Sequence, residues 1–257
     1  MLGWFFLQNT YRKEGNTLFA DFFSGTYTGD AFSMFSMSHW TVLFGFFALI
    51  LLLYRYRDEI NKSSKAYSLI RYGLAVILIL TELTLNIWYY ANAIWDPGST
   101  LPFQLCSITL FLCIFMLFTK SYKLYEIAYF TGLGGAGQAM LTPELFYPFP
   151  HYRFLHFFIA HMAIILACLF MTWVEGYRPT WKSIWKTFGL LNVYMVVVFG
   201  INKWTGGNYL FLAYKPANPS LLDFLGPYPW YIVSLEFVAL ALFFLLYAPF
   251  LFRRKSV

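Results

Sequence analysis

Cys106 and Gln104 stand two residues apart at the head of an apolar run, LPFQLCSITLFL (residues 101–112), and a second run, YRFLHFFIAHMAIILA (152–167), carries His156 and His161. An imidazole beside a thiol takes its proton. The thiolate so formed attacks an ester and holds the acyl group as a thioester. Glu82, Glu236 or Asn86 offers a carboxylate or amide to orient the imidazole, the role of the third member of a triad. Backbone N–H groups or the Gln104 amide would stabilise an oxyanion. Each residue also has a purely structural reading. A cysteine in an apolar run is commonly a small buried hydrophobe, and an isolated Gln104 or Asn86 is commonly a hydrogen bond between helices. Glu82 and Glu236 are harder to dismiss, because a buried carboxylate must be paired or protonated. His156 and His161 are five residues apart, about 140° around a helix, so one can face a pocket while the other only bonds a neighbour. Cys106, Cys113 and Cys168 are separated by apolar turns and no CxxC or HExxH occurs, so neither a metal nor a cofactor is expected. Three cysteines inside apolar runs also argue against a disulfide framework.

The elements that must hold these residues are membrane helices. Of 257 residues 60% are hydrophobic and only 12% charged, and the mean hydropathy is +0.58; a soluble domain could not cover its surface with so little charge. The expected fold is an all-α polytopic bundle of about seven transmembrane helices, at roughly Ser38–Tyr54, Ile70–Ala91, Leu101–Phe118, Tyr125–Leu141, Phe154–Val174, Trp185–Asn202 and Trp230–Phe252, each near the ~20 residues a crossing needs. The runs are continuously apolar, not alternating as barrel strands must be. Pro102 is expected in the first turn of the third span, where a missing N–H costs nothing. No cleavable signal peptide is read, because Met1–Phe6 lacks a basic stretch and Arg12 and Lys13 follow the apolar residues. The whole chain, 1–257, reads as a single transmembrane domain. Residues 1–37 form an interfacial segment with room for a short helix, and the loop 203–229, rich in Gly, Pro and Asn, folds back over the bundle.

Lysine and arginine set the direction. Arg55, Arg57, Lys62, Lys65, Arg71, Lys120, Lys123, Arg178, Lys182, Lys186, Arg253, Arg254 and Lys255 lie on one side, thirteen of the eighteen basic residues. Retention of such loops in the cytoplasm puts the N-terminus outside and the C-terminus inside. The net charge of +6 then needs no nucleic acid, since basic loops against anionic lipid account for it. In this orientation Glu82, Asn86, Gln104, Cys106, Gln138, His156, His161 and Glu236 all fall in the outer half of their spans, with His39 at the outer mouth of the first. At ~1.5 Å per residue Cys106 and His161 would each lie about 8–12 Å below the outer boundary. Polar groups from several helices converge on one layer, whereas the inner half reads as nearly all apolar. A pocket open to the outer leaflet is the expectation. The glycines of FTGLGGAGQ (130–138) are read as allowing close helix packing.

The segment LPFQLCSITLFL resembles the LPxHLC opening of a span in the bacterial YwaF-like integral membrane proteins, with Gln104 where that family often has histidine. The similarity continues in residues 152–167, in GGNYLFLAYKPANPSLLDFLGPYPWYIVSLE (206–236) and in SHW (38–40), and so covers essentially the whole chain. Animal relatives are similar to multi-span lipid acyltransferases that move fatty acyl chains between glycerophospholipids with one cysteine and one histidine on separate spans. The corresponding positions here are Cys106 and His161. More distant relatives are hydrolases of fatty-acid esters with threonine in place of the cysteine. The resemblance therefore implies a bacterial cytoplasmic-membrane protein with phospholipids and lysophospholipids as partners, passing an acyl chain through a Cys106 thioester with His161 as base. Gln104, Glu82, Asn86, His156, Gln138, Asn208, Glu236 and His39 would bind or orient substrate. A lipid-ester hydrolase, a transporter or a small-molecule receptor are the alternatives. No internal repeat of the kind transporters show is found, and the last span has Glu236 but no lysine for a retinal Schiff base. The oligomeric state is not legible, and Asn208, Lys215 and Asp223 leave the long loop readable either as a headgroup clamp or as a cap.

Overall fold

The computed structural model describes residues 18–26, 30–216 and 220–251; the first seventeen residues and the basic tail from residue 252 lie outside the described residues. All regular structure within them is helical. Five helices are long and apolar enough to cross a membrane: α2 (Met37–Arg55), α4 (Ser64–Ala91), α8 (Tyr152–Trp173), α9 (Trp181–Thr205) and α10 (Trp230–Leu251). Two apolar elements lie among them. One is α5, the fifteen-residue helix Leu105–Thr119. The other is a continuous rod made of α6 (Tyr122–Thr131), a π turn (Gly132–Ala136) and α7 (Gly137–Leu141). The short helices α1 (Leu18–Phe23) and α3 (Arg57–Lys62) complete the set.

Helices α2, α5, α8 and α10 start at one end of the bundle, the upper end, and α4, the α6–α7 rod and α9 run back to it. Cross-links fix this sense. At the lower end Arg71 of α4 donates to the carbonyls of Leu117 and Phe118, the C-terminus of α5. There too Tyr177, just past α8, donates to Lys120 O. The Glu126 carboxylate of α6 takes bonds from Ser183 (2.5 Å) and Lys186 (2.6 Å) of α9. At the upper end His39 of α2 meets the Met140 carbonyl of α7. The most buried helix is α8, whose core contributions include Phe154, Phe158, Ile164, Phe170 and Met171. α4, α5 and the π turn pack around it.

The sequence reading differs from this fold in four respects. α5 begins at Leu105, four residues later than expected, and Pro102 precedes the helix, because Leu101–Gln104 forms a bend (Phe103 N–H to Leu101 O, 2.8 Å) bonded to the loop above (Leu101 N–H to Tyr209 OH, 2.9 Å). Cys106 is consequently the second residue of its helix, where the sequence reading makes it the sixth residue of the span. α4 starts at Ser64, where Ser63 caps it through Ala66 N–H, and α9 extends through Thr205, which shortens the upper loop to residues 206–229. The lower half is also not bare of polar groups: Arg71 and Glu126 are buried there at 5% and 8% exposure.

Candidate active site at the head of helix α5

The start of α5 is built by its loop. Gln104 is the N-cap residue, and its side-chain Oε1 accepts the N–H of Leu210 (3.1 Å) instead of an N–H of its own helix. Leu210 and Phe211 both adopt positive φ, 58° and 54°, a left-handed pair that non-glycine residues rarely form. The surrounding bonds impose it. Buried Asn202 clasps Tyr209 from both sides (Nδ2 to O, 2.9 Å; N–H to Oδ1, 2.8 Å), Tyr231 OH donates to Phe211 O, and Tyr194 OH to Phe103 O. The first N–H groups of a helix have no intrahelical partner, and here the first to bond is Ile108, to Gln104 O. Cys106 thus sits in the turn where unpaired donors and the positive end of the helix dipole lie.

The positions of His161 and Glu82 relative to Cys106 follow from register. Cys113 Sγ lies 3.9 Å from Cys168 Sγ and 4.0 Å from Ile164 O, so these faces of α5 and α8 touch. Seven residues toward the upper end on both parallel helices, on nearly the same faces and ~10.5 Å higher, stand Cys106 and His161. A similar step holds against α4. Arg71 touches Leu117 O at 2.5 Å, and eleven residues, three turns plus about 20°, lead up α4 to Glu82 and back along α5 to Cys106. The three residues therefore come to one level, within about a turn, between α4, α5 and α8. No hydrogen bond joins Cys106 to His161 or Glu82 among the described residues.

The four histidines differ in what their ring nitrogens do. His39 accepts Phe35 N–H at Nδ1 (3.0 Å) and bonds Met140 O through Nε2 (2.8 Å). His151 caps α8 by accepting Arg153 N–H (3.0 Å) and reaches Ser24 O (3.0 Å). His156 takes Arg153 Nη1 at Nδ1 (3.0 Å) and bonds Thr81 O through Nε2 (2.9 Å), pinning α8 to α4. His161 is bonded at Nδ1 only, to Phe157 O of its own helix (2.6 Å). A carbonyl can only accept, so Nδ1 carries the proton and Nε2 keeps a lone pair, with no partner among the described residues.

The remaining polar residues pair off separately and do not form one cluster. Asn86 Nδ2 donates to Glu82 Oε1 (3.1 Å). Asn192 Nδ2 donates to Glu236 Oε2 (2.9 Å), joining α9 to α10. Gln138 donates to Thr142 (3.0 Å) at the end of α7. Asn208 organises its own loop, accepting from Ala213 N–H and Tyr214 N–H and donating to Tyr214 O. Sequence reasoning passed over Asn202 and Tyr209, which hold the loop over α5, and Arg71, Glu126 and Ser183. A glutamate inside YKLYEIAYF (122–130) was the one available signal for the lower cluster. Among the described residues no group of three or more His, Cys, Asp or Glu is arranged to hold a metal. Of two surface grooves, one of about 320 Å³ lies between α2, α3 and α4 over Leu166 and one of about 350 Å³ lies on the α4–α8 seam; neither is lined by Cys106 or His161.

No curated protein and no solved structure matches this chain. A family model described as the TMEM164 family matches residues 34–247. That stretch takes in α2 through most of α10, with Cys106 and His161 inside it, and is well over half of the 257 residues. The chain belongs to the TMEM164 family and is a membrane protein.

Proposed function

We propose that this protein is a membrane lipid acyltransferase that moves a fatty acyl chain from a glycerophospholipid to a lysophospholipid through a Cys106 thioester, with His161 as base. The observation that carries the reading is that His161 Nε2 has no partner among the described residues, and the helix register that brings His161 toward the level of Cys106 supports it. The other three histidines are bonded at both nitrogens. The resemblance of LPFQLC and of residues 152–167 to YwaF-like proteins and their acyltransferase relatives supports it from the sequence.

In this reading Nε2 accepts the Sγ proton and the thiolate adds to the ester carbonyl. The oxyanion forms at the head of α5, where the N–H groups of the first turn and the free Nε2 amide of Gln104 are donors. Collapse breaks the ester C–O bond, and the departing lysophospholipid alkoxide takes the proton from His161. The acceptor hydroxyl then gives its proton to His161 and attacks the thioester, and the thiol is regenerated. Glu82, at the same level with only Oε1 bonded, stabilises the imidazolium. The finer topology goes with this reading: seven crossings, counting α5 and the α6–α7 rod, with the upper end outside and the basic loops inside.

The test is acyl exchange by purified protein between a phospholipid and an isotopically labelled lysophospholipid, read by mass spectrometry. Cys106→Ala and His161→Asn should each lower the rate by roughly 10² or more, the size of a lost nucleophile or base. Asparagine keeps a donor for Phe157 O, so the fold is retained. Cysteine-dependent release of free fatty acid would change the class to hydrolase, and exchange at the wild-type rate by Cys106→Ala protein would end the proposal.

A further inference from the structure

We propose that an aromatic rim at the α9–α10 connection, formed by Phe224 and Tyr228 and continued by Trp204 and Trp230, docks in the lipid surface at the upper end of the bundle. Seated there, it holds down the chain that covers the head of α5. The connection joins two helices long and apolar enough to cross a membrane, so it leaves and re-enters the bilayer at that end. On α9 the exposed Val193, Val197 and Trp204 fall within about 60° of one another, and on α10 so do the exposed Trp230, Val233 and Phe237. Two lipid-facing stripes thus end in Trp204, 85% exposed, and Trp230. The rim carries them on into the loop. The inference rests on the chain being a membrane protein and not on the proposed reaction.

The partner follows from what the rim is made of. Phe224 ends the short 3-10 turn Leu221–Phe224 and is 86% exposed, whereas Leu222 of the same turn is buried. Asp223 beside it turns its carboxylate back to the N–H of Ser220 (2.8 Å). Tyr228 is exposed, with its ring centre 6.2 Å from that of buried Tyr231. Lys203 Nζ lies 5.5 Å from the ring centre of Phe199, and Lys215 Nζ 5.6 Å from that of Tyr231. Aromatic rings with lysines laid over them suit the headgroup layer of a bilayer, where apolar bodies and polar tips are both accommodated. In water an aromatic patch this exposed gains nothing. The rim also has a task. Tyr231 OH donates to Phe211 O, Leu210 N–H donates to Gln104 Oε1 (3.1 Å), and both Leu210 and Phe211 are held at positive φ. Such a pair costs energy and persists only under restraint. Phe224 and Tyr228 seated in lipid supply part of that restraint from outside the protein.

The experiment places a nitrobenzoxadiazole dye on Phe224→Cys in the full chain, in a Cys106→Ala background that leaves only the buried Cys113 and Cys168. The protein is held in phosphatidylcholine nanodiscs with and without doxyl-labelled phosphatidylcholine, the spin label near the top of the acyl chain. The dye should be quenched strongly by the labelled lipid and little by aqueous iodide. The same dye on Ala213→Cys, exposed in the same loop, should show the reverse. Quenching of the Phe224→Cys dye by iodide alone would put the rim in water and overturn the proposal. Shielding from both quenchers would overturn it in favour of a second copy of the chain seated on the rim. The hold on the loop is read by amide hydrogen exchange in nanodiscs, comparing wild-type protein with Phe224→Ser/Tyr228→Ser. Both side chains are exposed, so their loss removes little packing within the protein. Exchange at residues 209–212 should nevertheless quicken roughly ten-fold, the order expected when an aromatic side chain no longer gains from burial in lipid. Equal rates in the two proteins would overturn the proposal. Neither readout uses acyl exchange, so failure here and failure of the proposed function are told apart.

Discussion

His156 and His161 share a helix and a chemistry but not an environment, and the difference is a matter of partners that a sequence does not print. His156 bonds a carbonyl 75 residues away and a guanidinium three residues away. His156→Ala should therefore destabilise the fold by about 1–3 kcal/mol through the groups left unpaired, seen as a lower thermal midpoint. His161→Asn should leave that midpoint nearly unchanged while removing exchange. His151 adds a pH dependence. Burial first, and then the charge of Arg153, hold its imidazole below the ordinary 6.5. The folded protein takes up that proton less readily than the unfolded chain. The stability this group confers is therefore whole above about pH 6.5 and is lost as the pH falls below it. The unfolding midpoint should drop between pH 7 and 5, and His151→Asn, still a capping residue, should flatten that part of the profile. At this scale the residue types were legible, because an intramembrane Cys, His or Glu is conspicuous. Their roles were not, because most ring partners are backbone carbonyls brought close by the fold.

Helix α5 and the π turn show where an apolar pattern stops being informative about elements. Hydropathy located every long helix, but it began α4 six residues too late and α9 four residues too late. It placed the start of α5 too early, because LPF is as apolar as the helix that follows, and only the bonds from Tyr209 and Tyr194 show it as loop. The π turn GLGGA was also invisible, since glycine carries no periodicity, although close packing at these glycines was expected. A Cβ on Gly132 would fall 2.8 Å from Cys168 Sγ and 3.1 Å from Ile164, whereas one on Gly137 meets nothing within 4 Å. Gly132→Ala should then cost about 1–3 kcal/mol by overpacking, and Gly137→Ala should be neutral or mildly stabilising through its better helix propensity. Thermal unfolding of the two variants separates them. Because Leu105, the residue before Cys106, packs so close to Gly135 of the π turn that a Cβ added there would fall 3.1 Å from it, Gly132→Ala should also slow the proposed exchange.

For the whole molecule, the basic residues make a prediction that geometry alone does not. An impermeant maleimide applied to intact cells should label Ala213→Cys, exposed in the upper loop, and spare Lys62→Cys, exposed at the lower end, until the cells are opened; the reverse pattern would invert the topology. The length of α5 then bears on the surrounding bilayer. Fifteen residues make a rod of about 22 Å, short of the ~30 Å of a typical hydrocarbon core. Helices α4 and α9 of the same bundle, of 28 and 25 residues, are long enough to reach both headgroup regions. With α5 as one of the proposed crossings, the leaflet beside it must dimple, or the loop 206–229 must sink to meet it. The depth of Cys106 relative to the lipid esters is then set partly by the host membrane. Under the proposed function, acyl exchange measured in bilayers of increasing acyl length should pass through an optimum on the thin side and decline as the membrane thickens, so that membrane thickness acts as a control on the proposed reaction without any ligand.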